Sequence, residues 1–157
     1  MQQVVHISCK DGKINIESKK QFKESQFLNK ITNDEISLQF MTMKEFENIN
    51  EYLIHIRDVH NGKSPLLSRP IRKPLELDEY EKELYQMALD DVYRYIEISN
   101  KLEISSLFDL LCARVASEII GLKASSIRLK FDIQDDFTLE EKAKINEYFD
   151  WTEIFDK

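Results

Sequence analysis

Apolar and polar positions alternate with a period of two at the start of this chain. Val5, Ile7 and Cys9 enclose His6 and Ser8, Asp11-Gly12 follows, and Ile14 and Ile16 resume the alternation. A period of two places one set of side chains on a single strand face, and Asp-Gly is a hairpin pair, so the pattern predicts two paired strands. Phe22, Phe27, Leu28 and Ile31 fit a short helix, and Ile36, Leu38 and Phe40 alternate with Ser37 and Gln39 as a third strand. Thr42 with Glu45 three positions on is a capping box, opening a helix that carries Phe46, Ile49, Leu53 and Ile56 on one face. Further along, Tyr85, Ala88, Leu89, Val92 and Ile96 keep the helical period through about four turns.

The last third carries more apolar surface than one-sided packing needs. Ile104, Leu107, Phe108, Leu111 and Val115 form one helical stripe, and Phe108, Cys112, Val115, Ala116 and Ile119 run beside it. Together they widen the apolar arc beyond the roughly 100° of a helix that packs on one side. A helix core covered on two sides explains this, and so does a surface kept for a partner helix. Gly121 follows Ile120 where a cap tolerant of positive φ belongs, and Arg128 and Lys130 flank a further patch of Ile127, Leu129 and Phe131. Thr138 with Glu141 is a second capping box, so a last helix should start at Leu139, with Phe137 either folded onto it as a staple or turned outward. Tyr148, Phe149, Trp151, Ile154 and Phe155 make an aromatic-rich end, which needs something to hold it.

One stretch breaks the periodicity. Residues 61–74 hold all three prolines, Pro65, Pro70 and Pro74, with four basic residues and no acidic one, so a loop or linker is expected there. Composition then narrows the function classes. A formal net charge of -7 disfavours nucleic acid and anionic membrane as partners, since both present negative charge. The apolar runs are only a few residues long, and the first residues lack a secretory pattern, so a soluble, intracellular protein is expected. Cys9 and Cys112 stand far apart and read as small buried hydrophobes. His55 and His60 are five positions apart, and no further ligand is evident beside them, so neither a metal nor another cofactor is expected. The three glycines stand singly, which excludes a phosphate-cradling loop, and no catalytic constellation can be assembled from the 29 acidic residues. A non-enzymatic protein is expected.

These residues resemble the S-phase kinase-associated (SKP) family, the adaptor subunits of SCF (SKP, cullin, F-box) ubiquitin ligases. The likeness is carried by Asn100-Lys101-Leu102-Glu103-Ile104, Leu107-Phe108-Asp109, Cys112, Val115, Ala116, Phe131-Asp132-Ile133, Asp136-Phe137-Thr138, Glu140-Glu141 and Trp151, with Asp11-Gly12 in the first hairpin. It implies an α+β fold: a BTB/POZ domain, a small three-stranded sheet with helices, followed by C-terminal F-box-binding helices. Residues 1–60 and 76–103 would form the BTB/POZ part, 61–75 a basic proline-containing loop, and 104–157 the F-box-binding helices. The resemblance assigns Phe108, Cys112, Val115, Ile119, Phe131, Ile133, Phe137 and Trp151 to an F-box protein and Asn100 and Lys101 to a cullin. A homodimer through the BTB/POZ part and an SKP-like scaffold in a non-cullin assembly, for example at a kinetochore, are the other arrangements it suggests. The chain departs from the family pattern at Lys101, where an aromatic is usual, and at the basic segment from Lys63 to Pro74, where the family has an acidic loop.

Overall fold

A computed structural model describes residues 4–60 and 77–149. It is an α+β protein in two compact units, residues 1–115 and 116–157. In the first unit, β1 (Val5–Cys9) pairs antiparallel with β2 (Gly12–Ile16) and parallel with β3 (Glu35–Leu38), in the order β2-β1-β3. The alternation of Val5, Ile7 and Cys9 puts all three in the core, joined by Ile36 and Leu38. The hairpin turn itself is Lys10-Asp11, and Gly12 opens β2 opposite Cys9, one position later than a turn at Asp11-Gly12 requires. Gly12 answers to a close approach: a Cβ there would stand 2.6 Å from Met43 Sδ, beside the bond that Met43 N donates to Asp11 Oδ1 at 2.7 Å.

The expected helix around Phe22 and Leu28 divides in two, a 3-10 turn at Lys20–Glu24 and α1 (Gln26–Asn29). The division comes at Ser25, whose extended backbone lets its hydroxyl accept from Leu28 N at 3.0 Å and donate to Leu102 O at 2.5 Å. α2 (Met43–Val59) starts at the Thr42–Glu45 capping box and buries Phe46, Ile49, Leu53 and Ile56, as their spacing predicts, together with Tyr52.

The single helix expected through Tyr85 and Ile96 is two. Asp78 caps α3 (Glu79–Tyr85) with a capping box through Glu81, α3 stops at Gln86, and the extended Ala88 begins α4 (Leu89–Lys101). Apolar spacing runs unbroken through the join, so periodicity alone could not reveal it. α4 buries Val92 and Ile98, and α5 (Ser105–Ser117) buries Leu107, Leu110 and Leu111.

Arg94 ties α4 to the start of α2. Its Nε donates to Glu45 Oε1 at 2.6 Å, and its Nη2 donates to Glu45 Oε2 at 3.1 Å and to Phe40 O at 2.6 Å. Thr42 N donates to the same carboxylate at 2.7 Å. The Arg94 fork, before all other influences, holds the Glu45 carboxyl down at about 2. A carboxyl depressed on folding stabilises the fold fully above its ordinary value near 4.5, and that stabilisation is lost as pH falls towards 2. Acid titration followed by circular dichroism should therefore show destabilisation across that window, and Glu45→Gln should flatten it.

The second unit holds α6 (Ala124–Phe131) and α7 (Leu139–Phe149). Gly121 leads in with φ +76°, as its position after Ile120 predicts, and Asp132 caps α6 in the left-handed region. Ion pairs link Lys130 with Glu118, Arg128 with Asp135 and Lys142 with Asp135. The Thr138–Glu141 capping box forms, with Thr138 N donating to Glu141 Oε2 at 2.8 Å and Glu141 N donating to Thr138 Oγ1 at 3.2 Å. None of the described side chains in this unit is buried. Among the described residues, no helix is long and apolar enough to cross a membrane.

Candidate partner-binding surface

α5 sorts its own two stripes. Ile104, Leu107 and Leu111 lie in the core, while Phe108 and Cys112 are half-buried and Val115 packs partly against it. Leu110 is also buried, although neither stripe included it. The second stripe is thus the less covered side of this helix.

Phe108 lines an open groove of about 560 Å³ with Gln26, Ser99, Asn100, Glu103, Ile104, Ser105 and Asp109. The groove follows the corner between α4 and α5, and three bonds fix that corner. Besides the Ser25 bond to Leu102 O, Gln26 N donates to Glu103 O at 3.3 Å and Lys30 Nζ to Glu103 Oε2 at 2.9 Å. Glu103 turns the chain with φ +52°, a conformation that an ordinary side chain adopts only when its surroundings hold it there. The groove therefore has a rigid floor, and it brings Asn100 and Phe108 onto one surface.

Lys101, beside it, is exposed but engaged. Its Nζ donates to Glu97 Oε1 at 2.7 Å and sits 5.2 Å from the centre of the Phe40 ring. The cation that replaces a family aromatic is thereby held over an aromatic of its own chain.

In the second unit Ile119, Ile133 and Phe137 are exposed, Ile133 by 54% and Phe137 by 45%, and Phe131 is half-buried. Phe137 is therefore turned outward. Ile120 and Leu129 are more exposed still, at 78% and 87%, as are Leu139 and Tyr148, and the resemblance named none of these four. Leu129 shares a short helix with Ile127 and Phe131 but points away from them, which the one-in-two spacing of the three residues on a 3.6-residue turn already implies. Trp151 and the basic segment 61–75 lie outside the described residues.

The fold and this surface define a class: an α+β domain of BTB/POZ type followed by helices that leave large apolar side chains uncovered. Comparison with known proteins narrows the class. Residues 105–152 match the Skp1 family, dimerisation domain. The chain is 35% identical over 82 residues to the "E3 ubiquitin ligase complex SCF subunit sconC" of Talaromyces marneffei, covering 52% of this chain and 51% of that protein. The protein of the same description in Aspergillus fumigatus is 35% identical over 81 residues, covering 52% and 51%. The "Suppressor of kinetochore protein 1" of Schizosaccharomyces pombe is 29% identical over 99 residues, covering 63% and 62%. The matched part spans about half the length of the first two. Over these segments the chain is similar to the SKP family.

One cluster that sequence spacing missed lies elsewhere. His55 and His60 meet Asp78 and Glu81, and the four ligand-type atoms fall within 4.8 Å of one another. The expectation that these histidines lack further ligands is therefore corrected. Residues 61–77 separate the two pairs in sequence, which hides the meeting from any test of spacing. The legible signal was Asp78-x-x-Glu81, a capping-box pattern that fixes where both carboxylates stand.

Proposed function

We propose that this chain is the adaptor subunit of an SCF-type cullin-RING E3 ubiquitin ligase, bridging a cullin and an F-box protein so that bound substrate is ubiquitinated. The observation that carries this reading is the set of uncovered apolar side chains in the segment that matches the Skp1 family, with Ile119, Ile133 and Phe137 foremost. On this reading Phe108, Cys112, Val115, Phe131 and Trp151 are further F-box contacts, and Asn100 and Lys101 are cullin contacts. The adaptor performs no chemistry. It holds a substrate receptor against a scaffold and so raises the effective concentration of substrate lysines near the ubiquitin-charged enzyme. Cytoplasm and nucleus are its expected locations.

A second reading, an SKP-like scaffold for an F-box-type partner outside any cullin ligase, is favoured by Lys101. Its ammonium is committed to Glu97 and to the Phe40 ring, so an aromatic-seeking pocket on a cullin finds no aromatic there. A homodimer through the BTB/POZ part is a third arrangement.

Co-purification of the full chain with an F-box peptide, and separately with a cullin N-terminal domain, tests these readings. Capture of both is the expected result. Capture of the F-box peptide alone selects the scaffold, and capture of neither refutes the adaptor reading. Size-exclusion chromatography with light scattering on the free chain reads the homodimer.

A further inference from the structure

We propose that His55, His60, Asp78 and Glu81 bind one divalent transition-metal ion of the zinc class, fastening the end of α2 to the start of α3. The site is independent of the partner surface and of the adaptor reading.

Geometry carries the proposal. His55 lies near the end of α2, and His60 is its C-cap. Asp78 is the N-cap of α3, and Glu81 stands three residues on. Bonds of about 2.0 to 2.1 Å around a tetrahedral ion set neighbouring ligand atoms about 3.3 Å apart. His60 Nε2 is 3.3 Å from Asp78 Oδ2 and 3.4 Å from Glu81 Oε1, and His55 Nε2 is 2.7 Å from Asp78 Oδ2. With all four atoms inside 4.8 Å, an ion needs only small side-chain shifts to reach its bond lengths.

The supporting shell is built too. Each carboxylate spends one oxygen on the capping box, since Glu81 N donates to Asp78 Oδ1 at 2.9 Å and Asp78 N donates to Glu81 Oε2 at 3.1 Å. The other oxygen of each is then aimed at the imidazoles, the arrangement in which outer bonds orient metal ligands. Glu81 is 1% exposed, and the Tyr80 ring lies 4.5 Å from the His55 ring, so neither ligand is free to swing into solvent.

The chemistry selects the ion. Imidazole nitrogens with carboxylate oxygens suit zinc, cobalt, nickel and copper rather than magnesium or calcium, which take oxygen shells. Two neutral imidazoles and two carboxylates neutralise a divalent cation, and the C-terminal end of α2 favours positive charge. The binding step releases whatever protons the histidines carry and makes no other bond.

The full chain, stripped with a chelator, is titrated with Co²⁺ and then Zn²⁺. A single equivalent of Co²⁺ should give the visible absorption of a tetrahedral site, and Zn²⁺ should displace it. At a free Zn²⁺ concentration of about 100 times Kd, thermal unfolding should move up by roughly 5 °C. His60→Asn and His55→Asn should weaken binding by roughly 100-fold or more, beyond the loss of a mere outer-shell partner. Glu81→Gln keeps the capping box while removing an anionic ligand, so it should fold like the parent and still lose affinity, which guards against a variant that simply unfolds. His6→Asn, on the sheet, should change nothing. No saturable one-to-one complex, undiminished affinity in Glu81→Gln and both histidine variants, or a loss caused by His6→Asn would each overturn the site and leave a hydrogen-bonded cluster only.

Discussion

On the proposed adaptor reading, Ile133→Asp combined with Phe137→Asp should abolish binding of an F-box peptide while leaving the free chain folded. Burying one such side chain at an interface contributes about 1.5 to 3 kcal/mol, so losing two amounts to a drop in affinity of roughly 10² to 10⁴. An introduced carboxylate that must be dried on binding adds to this. Both side chains are exposed in the free chain, so its circular dichroism and thermal unfolding should stay within about 0.5 kcal/mol of the parent. Titration calorimetry with an F-box peptide measures the first quantity and denaturant unfolding the second. Cullin binding, which the adaptor reading places around Asn100, should survive. Loss of both interactions together would mean that the chain has unfolded generally rather than that a contact has been removed.

Phe46→Ala should have the largest effect on stability. Phe46 is fully buried on α2, the helix whose Phe46, Ile49, Leu53 and Ile56 face the core alongside the inward side chains of the sheet. Removing a buried phenyl ring costs about 3 to 5 kcal/mol through lost transfer energy and the void left behind. Domains are stable by only about 5 to 15 kcal/mol, so such a variant should populate unfolded forms near body temperature. Urea titration of Phe46→Ala beside Val59→Ala separates burial from helix propensity. Val59 ends the same helix 56% exposed and should cost less than about 0.5 kcal/mol. A loss in Phe46→Ala no larger than that in Val59→Ala would show that the core does not rest on this ring.

What the sequence disclosed follows from how local each signal is. The hairpin, the inward face of α2, the two capping boxes at Thr42 and Thr138 and the positive φ of Gly121 each depend on a few neighbouring residues, and each appears in the structure. The break between α3 and α4 did not show, because neither glycine nor proline marks it and apolar spacing continues across it. The division of the 3-10 turn from α1 depends on Ser25 reaching Leu102, a tertiary bond that no local pattern encodes. The site was legible in a different sense. Periodicity indicated a surplus of apolar surface on α5 without saying which flank the core would cover, and it treated Leu110 as outside both stripes although the core takes it. Naming partners for that surplus needed family resemblance. The exposure of Ile120, Leu129, Leu139 and Tyr148 escaped even that, since exposure depends on what packs alongside and not on residue type.

The bond from Ser25 to Leu102 spans 77 positions, and it sets an order of events during synthesis. At roughly 5 to 20 residues per second, a ribosome delivers Leu102 about 4 to 15 s after Ser25, and Glu103 arrives just behind to meet Gln26 and Lys30. Until then the sheet and α2 wait with part of their apolar face open, and local pairing alone cannot shut it. α6 and α7 are made later still, after that domain has closed.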